Sequence, residues 1–186
     1  MIIHEDIGIR PVERRDIEAL RHIRNDQTTA KQLTDAQLIS PAAQQAWFEG
    51  LATARDRAFY TVVKLDRDAA LPIVSEADVI GLVRTSDIDK TNRSICMGAD
   101  VALAWRGKGY GTQIYRAFMR YLFNDLAYHR VWLLVLDTNT VGQRLYTNVG
   151  FRVEGVHRKA IWRDGAWHDY VVMGILDDEY RTHREP

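Results

Sequence analysis

The feature that most constrains this sequence is a glycine-rich run from Arg106 to Thr112, which reads RGKGYGT. A segment that should end a strand precedes it, and residues 111–126, whose apolar side chains have helical spacing, follow it. Alternating glycines let the chain adopt positive φ and let a ligand approach the backbone. The first N–H groups of a helix lack internal partners, and the helix dipole favours negative charge there. The run therefore predicts a loop that binds a diphosphate, to which Arg106 and Lys108 add positive charge.

The glycine spacing argues against the two most familiar diphosphate loops. A P-loop needs GxxxxGK followed by Ser or Thr, and this run lacks that spacing. A dinucleotide fingerprint needs G-x-G-x-x-G and an acidic residue about 20 positions later, but here the residues around His129 are not acidic. A glycine-rich turn without a ligand is the remaining alternative, although three glycines flanked by Arg and Lys exceed what a turn needs.

The apolar patterning predicts a mixed α/β (α+β) fold over residues 1–186, with a core at 7–176 and a polar tail at 177–186. The expected sheet is mostly antiparallel, is flanked by helices and has a parallel pair of strands at its middle. The stretch 66–78 is expected to be a loop, and Ala43, Trp47, Leu51 and Ala54 form the predicted buried stripe of the second helix. The predicted strands are 7–12, 58–65, 79–85, 94–103, 131–136, 151–163 and 167–175, and the predicted helices begin at residues 16, 41, 111 and 140.

The bulk composition excludes several function classes. The chain of 186 residues has 25 Lys and Arg against 25 Asp and Glu, so no net charge favours nucleic acid or an acidic membrane. Its one cysteine, Cys96, cannot form an internal disulfide, and its six histidines include no i, i+4 pair that would indicate a metal site. Acidic residues stand where a signal peptide would be apolar, and the strongest apolar run is too short to span a bilayer. A cytoplasmic protein without metal, membrane or nucleic-acid partners is expected.

The glycine run resembles the signature of the GNAT superfamily of acyl-CoA-dependent N-acetyltransferases, in which Arg or Gln is followed by x-x-G-x-G. The hairpin segment 87–98, the segment HRVWLLVLDTN (129–139) and LYTNVGF (145–151) resemble further elements of that superfamily. Residues 154–176 resemble the C-terminal hairpin of a branch that includes ribosomal-protein alanine, spermidine and nucleotide-amino-sugar N-acetyltransferases. The similarity is strong over residues 79–176 and looser over 7–65, and it implies a splayed central pair of strands.

The resemblance implies that acetyl-CoA is the cofactor. Backbone N–H groups from Arg106 to Thr112 would hold the pyrophosphate, and the strand end at 101–103 would pair with the pantetheine arm and polarise the thioester. Asn139 would contact the cofactor arm, or it caps the next helix, or it does both. Tyr146 would protonate the leaving thiolate, or it is a core aromatic. The implied cofactor-binding residues are Val101, Ala102, Leu103, Arg106, Gly107, Lys108, Gly109, Tyr110, Gly111, Thr112, Asn139 and Tyr146.

The general base is less easily assigned, because Cys96 stands where relatives often carry a Glu, in a pattern like RSAEIG. Asp100 lies farther along the same strand, on the side of Gly98, and is the predicted base. Cys96 is interpreted either as a nucleophile or, by preference, as a small core residue. Glu154, His157, His168 and Asp169 are further candidates, and a water chain without a single base is another possibility.

The acceptor is expected to be a small-molecule or peptide amine, bordered by residues 23–40 and 155–170. Arg24, Trp47, Trp162 and Trp167 are the predicted lining residues, although Trp47 could equally be helix core. An amino sugar or a protein N-terminus is favoured over a polyamine, because these segments lack a dense acidic cluster. A polyamine or antibiotic N-acetyltransferase and a non-catalytic acyl-CoA-binding regulator are the alternatives. Monomer and homodimer both stay open.

Overall fold

A computed structural model describes residues 1–33, 37–66 and 79–184 of the chain. Within these ranges eight strands form one sheet in the order β1-β2-β3-β4-β5-β6-β8-β7. The strands are β1 Ile2–His4, β2 Ile7–Pro11, β3 Ala58–Lys64, β4 Val79–Asp89, β5 Ser94–Val101, β6 Arg130–Leu136, β7 Arg152–Arg163 and β8 Ala166–Leu176. The α-helices are α1 Ile17–Asn25, α2 Gln27–Ala30, α3 Pro41–Gly50, α4 Tyr110–Arg120, α5 Thr140–Asn148 and α6 Asp177–Arg184.

The middle of the sheet is splayed. Strands β5 and β6 are parallel, but they pair only from Ser94–Arg130 to Cys96–Trp132. Beyond that point β5 continues along β4 as far as Val101, and β6 continues along β8 as far as Leu136. All the other strand pairs described are antiparallel. The predicted mixed sheet with a central parallel pair is therefore confirmed, and the divergence of β5 from β6 opens a gap in the sheet.

Helices cover both faces of the sheet because successive strand residues point to opposite sides. On one face α4 buries Ile114 and Phe118 against residues such as Val83, Met97 and Leu133. On the other face α1 buries Leu20 and Ile23 against Leu82, the neighbour of Val83 on β4. The sequence produces this arrangement because α4 carries its apolar residues at helical spacing while β4 is apolar on both faces.

Several predicted boundaries were wrong. Strand β5 ends at Val101, so Ala102 lies in a loop and Leu103 begins a single 3₁₀ turn. The predicted polar tail contains α6, which buries Tyr180 and stacks its ring on Phe123 with centroids 4.7 Å apart. The long helix predicted at 111–126 has the expected extent, but after Arg120 it changes from α4 to one π-helical turn.

Two further expectations have other outcomes. On α3, Ala43 is exposed and Gln44 is buried instead, so the predicted stripe was wrong at that position. Of the loop predicted at 66–78, residues 67–78 lie outside the described part of the chain. No helix in the described ranges is long and apolar enough to cross a membrane.

Candidate functional site

The glycine loop joins the 3₁₀ turn at Leu103–Trp105 to the start of α4. Gly107 has φ +72° and Gly109 has φ +85°, and a Cβ added at either would meet nothing within 4 Å. Glycine is therefore required at both for backbone conformation, not for space. Gly111 has a different role, because a Cβ there would lie 2.7 Å from Cδ1 of Leu145 on α5. The loop is thus shaped to present the N-terminus of α4, where N–H groups and the helix dipole favour an anion.

A cavity of about 560 Å³ lies in front of this loop. Its lining includes eight of the predicted cofactor residues: Val101, Arg106, Gly107, Gly109, Tyr110, Gly111, Thr112 and Asn139. Ala102, Leu103, Lys108 and Tyr146 are not part of that lining. The Lys108 ammonium lies over the Trp105 ring, 5.1 Å from its centroid, and the N–H of Ala102 donates to the carbonyl of Ile80 at 2.8 Å. Thr28, Thr29 and Gln32 also line the cavity; they lie within the segment 23–40 that was expected to border the acceptor, but none of the three was singled out from the sequence.

The side chain of Asn139 forms the helix cap that one of its two interpretations expects, and contact with the cofactor arm stays a prediction. Its side chain caps α5 by accepting a hydrogen bond from the N–H of Gly142 at 2.9 Å, and it also borders the cavity. Such a cap stabilises a helix by about 1 kcal/mol. The start of α5 is therefore fixed against the cavity by the same residue that was predicted to contact the cofactor.

The Arg106 side chain is directed away from the loop. Its guanidinium donates to the carbonyl of Val101 at 2.9 Å and to the hydroxyls of Thr28 and Thr29, and it lies 3.7 Å from Asp26. The backbone N–H of Arg106 donates to the carbonyl of Leu103 at 3.2 Å, so the expectation that this N–H is available for pyrophosphate was wrong.

Two phenols on different helices contact each other. The rings of Tyr115 on α4 and Tyr146 on α5 have centroids 5.0 Å apart. Burial raises the pKa of Tyr146, an effect that Tyr115 and Arg84 partly offset and Asp100 reinforces. Tyr146 is therefore a protonated phenol at neutral pH, which is the form that a general acid requires.

Asp100 forms an ion pair that the sequence did not predict. Arg84 of β4 donates to Oδ2 of Asp100 at 2.6 Å, and the Asp100 side chain is only 9% exposed. Burial disfavours the charged guanidinium, but Asp100 and the nearby phenols outweigh this and raise the pKa of Arg84. Gly98 faces Arg84 across the strand pair, and a Cβ there would come within 2.9 Å of Cζ. A glycine inside a strand often marks such a close approach. Gly98 was therefore the one feature of the sequence that could have indicated a large side chain, here Arg84, packed against β5.

The other candidate bases have their own partners. Burial raises the pKa of the Cys96 thiol, although a hydrogen bond with Ser86 lowers it, so the reactive thiolate is disfavoured. Glu154 is paired with Arg130, Nδ1 of His168 lies 3.3 Å from Asp137, and Asp169 accepts a 2.7 Å hydrogen bond from the N–H of Lys159. His157 is exposed on β7. Among the described residues, no three His, Cys, Asp or Glu side chains form a cluster that could bind a metal.

The predicted acceptor residues do not form one cluster. Trp162 and Trp167 pack edge-to-face with centroids 5.4 Å apart, and they are 52% and 58% exposed near the turn between β7 and β8. Trp47 packs on Phe59 beside α1, as the helix-core alternative expects, and Arg24 is half-buried on α1. None of these four residues lines the cavity in front of the glycine loop.

Tyr170 on β8 is a polar group that sequence reasoning missed. Its residue is only 7% exposed, and its hydroxyl has no hydrogen-bond partner among the residues that the structure describes. Burial raises the pKa of Tyr170, while Arg163 and Arg84 lower it. A buried hydroxyl without a partner is unusual, and it indicates a position that a ligand atom could complete.

The chain was compared with known families and proteins. A family model described as an acetyltransferase (GNAT) domain matches residues 6–152. The SPbeta prophage-derived N-acetyltransferase YokL of Bacillus subtilis is 31% identical over 122 residues, which cover 64% of this chain and 69% of YokL. The ribosomal protein uS5-alanine N-acetyltransferase of Escherichia coli is 24% identical over 110 residues, which cover 59% of this chain and 57% of the relative.

A solved structure shares the fold at lower identity. It is the spermidine N-acetyltransferase of Vibrio cholerae in complex with CoA and spermine, with a TM-score of 0.83 and 22% identity. The match covers 95% of this chain and 98% of the Vibrio protein. At this identity the likeness shows a common fold.

Proposed function

Because the chain belongs to the GNAT family of acetyltransferases, we propose that it is a single-domain enzyme that acetylates a primary amine by direct attack in a ternary complex. The enzyme is an acyltransferase, and acetyl-CoA is its acyl donor. The acceptor we propose is a protein N-terminus or an amino sugar. The observation that carries the proposal is the cavity of about 560 Å³, which the anion-binding loop and Asp100 both line.

The donor side rests on backbone groups. Within α4 the N–H of Gln113 bonds back to the carbonyl of Gly109, so the N–H groups of Tyr110, Gly111 and Thr112 precede the first intrahelical bond. These groups, together with Gly107 and Gly109, would hold the diphosphate of the donor, and Asn139 and Val101 would border its arm. Lys108 lies over Trp105 beside the loop, where its charge also favours an anion.

Two side chains are proposed for the proton transfers. When bound, acetyl-CoA supplies the acetyl group as a thioester. Asp100 takes the proton that the attacking amine must lose, and Tyr146 donates a proton to the departing sulfur. The support is that Asp100 acts electrostatically on Tyr146 and lines the cavity, while Arg84 fixes only its Oδ2 oxygen. Arg84 is therefore proposed as the residue that positions Asp100.

The charges near Asp100 support the proposed acceptor class. Arg84 and Arg163 both lower the pKa of the buried Tyr170, and Asp100 is already paired with Arg84. A polyamine carries several ammonium groups and would meet like charge there. A protein N-terminus or an amino sugar offers one amine beside carbonyl or hydroxyl oxygens, which can accept hydrogen bonds from Tyr170 or Arg163.

Calorimetry with CoA and acetyl-CoA, followed by an amine screen, tests this function. The screen would compare N-terminal peptides, amino sugars, spermidine and a simple alkylamine, with free thiol release and the mass of the acetylated product as readouts. We expect turnover with a peptide or an amino sugar. Tight binding of acetyl-CoA without turnover of any amine would instead support a non-catalytic acyl-CoA-binding regulator.

The proposed base has its own test, the Asp100→Asn variant. If Asp100 takes the proton, kcat falls by about 10²-fold or more, and the pH–rate profile changes. The matched control is Asp137→Asn, which removes a carboxylate of the loop after β6 that pairs with His168. An unchanged pH–rate profile in Asp100→Asn would remove Asp100 from the mechanism.

A further inference from the structure

One short segment, residues 26–33, supplies part of the cavity lining, and we call it the wall segment. It contains α2 and contributes Thr28, Thr29 and Gln32 to the cavity. Asp26 caps α2 by accepting a hydrogen bond from the N–H of Thr29 at 2.9 Å, and its carboxylate also accepts from both threonine hydroxyls. Four residues are too few for a helix that is stable alone, so contacts with the rest of the chain must hold α2 in place.

Arg106 holds the first half of the wall segment. Its guanidinium donates one hydrogen bond to Thr28 and another to Thr29, and it lies 3.7 Å from Asp26. A third bond to the carbonyl of Val101 fixes the stem of the same side chain at the end of β5. The planar guanidinium is suited to several simultaneous hydrogen bonds, which a lysine could not reproduce.

The turn between β7 and β8 holds the second half. Lys31 pairs with Asp164 at 3.0 Å, and Arg163 donates to the carbonyl of Leu33. The wall segment therefore joins the glycine loop at one end to the β7–β8 hairpin at the other. This hairpin also carries Tyr170, the buried hydroxyl near Arg84.

From these contacts we propose that the Arg106 side chain is a positioning residue that holds the wall segment, rather than a ligand of the diphosphate. It thereby couples the donor loop to the acceptor side of the cavity, a step that rests on the proposed function. The backbone of the loop binds the donor, and the side chain of its first residue orders the surface against which the acceptor lies.

The first test needs no acceptor. Amide hydrogen exchange of residues 26–33 would be measured in the acetyl-CoA complex of the wild-type protein, of Arg106→Gln and of the double variant Thr28→Val/Thr29→Val. We expect exchange about tenfold faster than in the wild type in both variants, with acetyl-CoA affinity changed by less than about threefold. Lys108→Gln is the matched control, because it removes a cation of the same loop that lies over Trp105 and should leave this exchange unchanged.

The second test uses the acceptor found in the amine screen. We expect Arg106→Gln to raise the acceptor KM about tenfold with a smaller effect on kcat, and to add little further loss on the Thr28→Val/Thr29→Val background. Arg106→Lys should recover only part of the loss. A large fall in acetyl-CoA affinity in Arg106→Gln, with unchanged exchange of residues 26–33, would overturn the proposal and make Arg106 a diphosphate ligand. If the wild-type protein acetylates no amine, the proposed function fails, while the exchange test still decides the role of Arg106.

Discussion

Replacing Gly98 with alanine tests the ion pair between Arg84 and Asp100 without removing either charge. A Cβ at position 98 would lie 2.9 Å from Cζ and Nη2 of Arg84 and 3.0 Å from Nε. Ordinary contacts between such atoms begin near 3.5 Å, so the guanidinium must move by roughly half an ångström or more. Because Nη1 lies 2.6 Å from Oδ2 of Asp100, that movement lengthens the bond between them.

The magnitude follows from two opposed effects. A hydrogen bond between charged groups contributes about 1.5–3 kcal/mol, and the partial exposure of Arg84 places this bond at the lower end. Alanine in a strand gains about 0.5–1 kcal/mol over glycine through the unfolded chain. Gly155 on β7 is the matched control, because a Cβ there would meet nothing within 4 Å. We expect Gly155→Ala to be neutral or stabilising, and Gly98→Ala to be less stable than Gly155→Ala by about 1–2 kcal/mol.

Denaturant unfolding of both variants measures this difference, and steady-state kinetics measures its effect on catalysis. We expect Gly98→Ala to lower kcat/KM for the amine about tenfold, because Asp100 loses its fixed position, with little change in acetyl-CoA affinity. Equal stability and equal kinetics in the two alanine variants would show that the guanidinium moves at no cost. The argument that Gly98 is needed for the ion pair would then be refuted.

Three other changes have expected outcomes. Tyr146→Phe should lower kcat by about 10²-fold or more, while the control Tyr115→Phe should not. The activity of the wild-type enzyme should decline only when alkaline pH passes the raised pKa of Tyr146. Equal rates in the wild type and in Tyr146→Phe would exclude the acid role. Tyr170→Phe removes a buried hydroxyl that has no partner among the described residues, so the free energy of unfolding should stay unchanged or rise by up to about 1 kcal/mol. The same variant should raise the KM of oxygen-bearing acceptors more than that of an alkylamine. Burial opposes ionisation of Asp16, but hydrogen bonds from Arg10, the Glu13 N–H and Thr61 outweigh it and lower the pKa of Asp16. The stabilising contribution of the Asp16 carboxylate is therefore present at neutral pH and is lost as the pH falls below the ordinary aspartate pKa. Denaturant unfolding should show that Asp16→Asn lowers the free energy of unfolding by about 3 kcal/mol at pH 7, and by less in acid.

The conformation of the glycine loop was predictable from sequence because its requirements are local. Positive φ at Gly107 and Gly109 needs glycine, and the helix that follows begins within the same short run. The hairpin turn at Asp164 and Gly165 was predictable for the same reason, since both residues adopt positive φ. By contrast, α6 has one buried apolar residue, Tyr180, in an otherwise polar stretch, so no periodic pattern marked it as a helix.

The surroundings of Arg84 and Tyr170 could not be predicted because they depend on contacts between distant segments. The strand register places Arg84 opposite Gly98, which its own sequence position does not show. The pKa of Tyr170 is lowered by Arg84 and Arg163, which belong to two other strands. Trp47 is the opposite case: it was predicted to line the acceptor cleft, but its ring packs on Phe59. Residue type alone does not separate these cases, since the strand register and the path of the chain decide which side chains meet.

The position of Arg106 in the glycine loop was predictable from the sequence, but the contacts of its side chain were not. Its place in the glycine run gave it an expected role toward the diphosphate, and charge alone agrees with that role. The structure directs its donors to Thr28 and Thr29, almost eighty positions earlier in the chain. A loop that binds its donor through backbone groups leaves its side chains available for other contacts. The same short run can therefore define the donor through its backbone and, through one arginine, shape the wall that faces the acceptor.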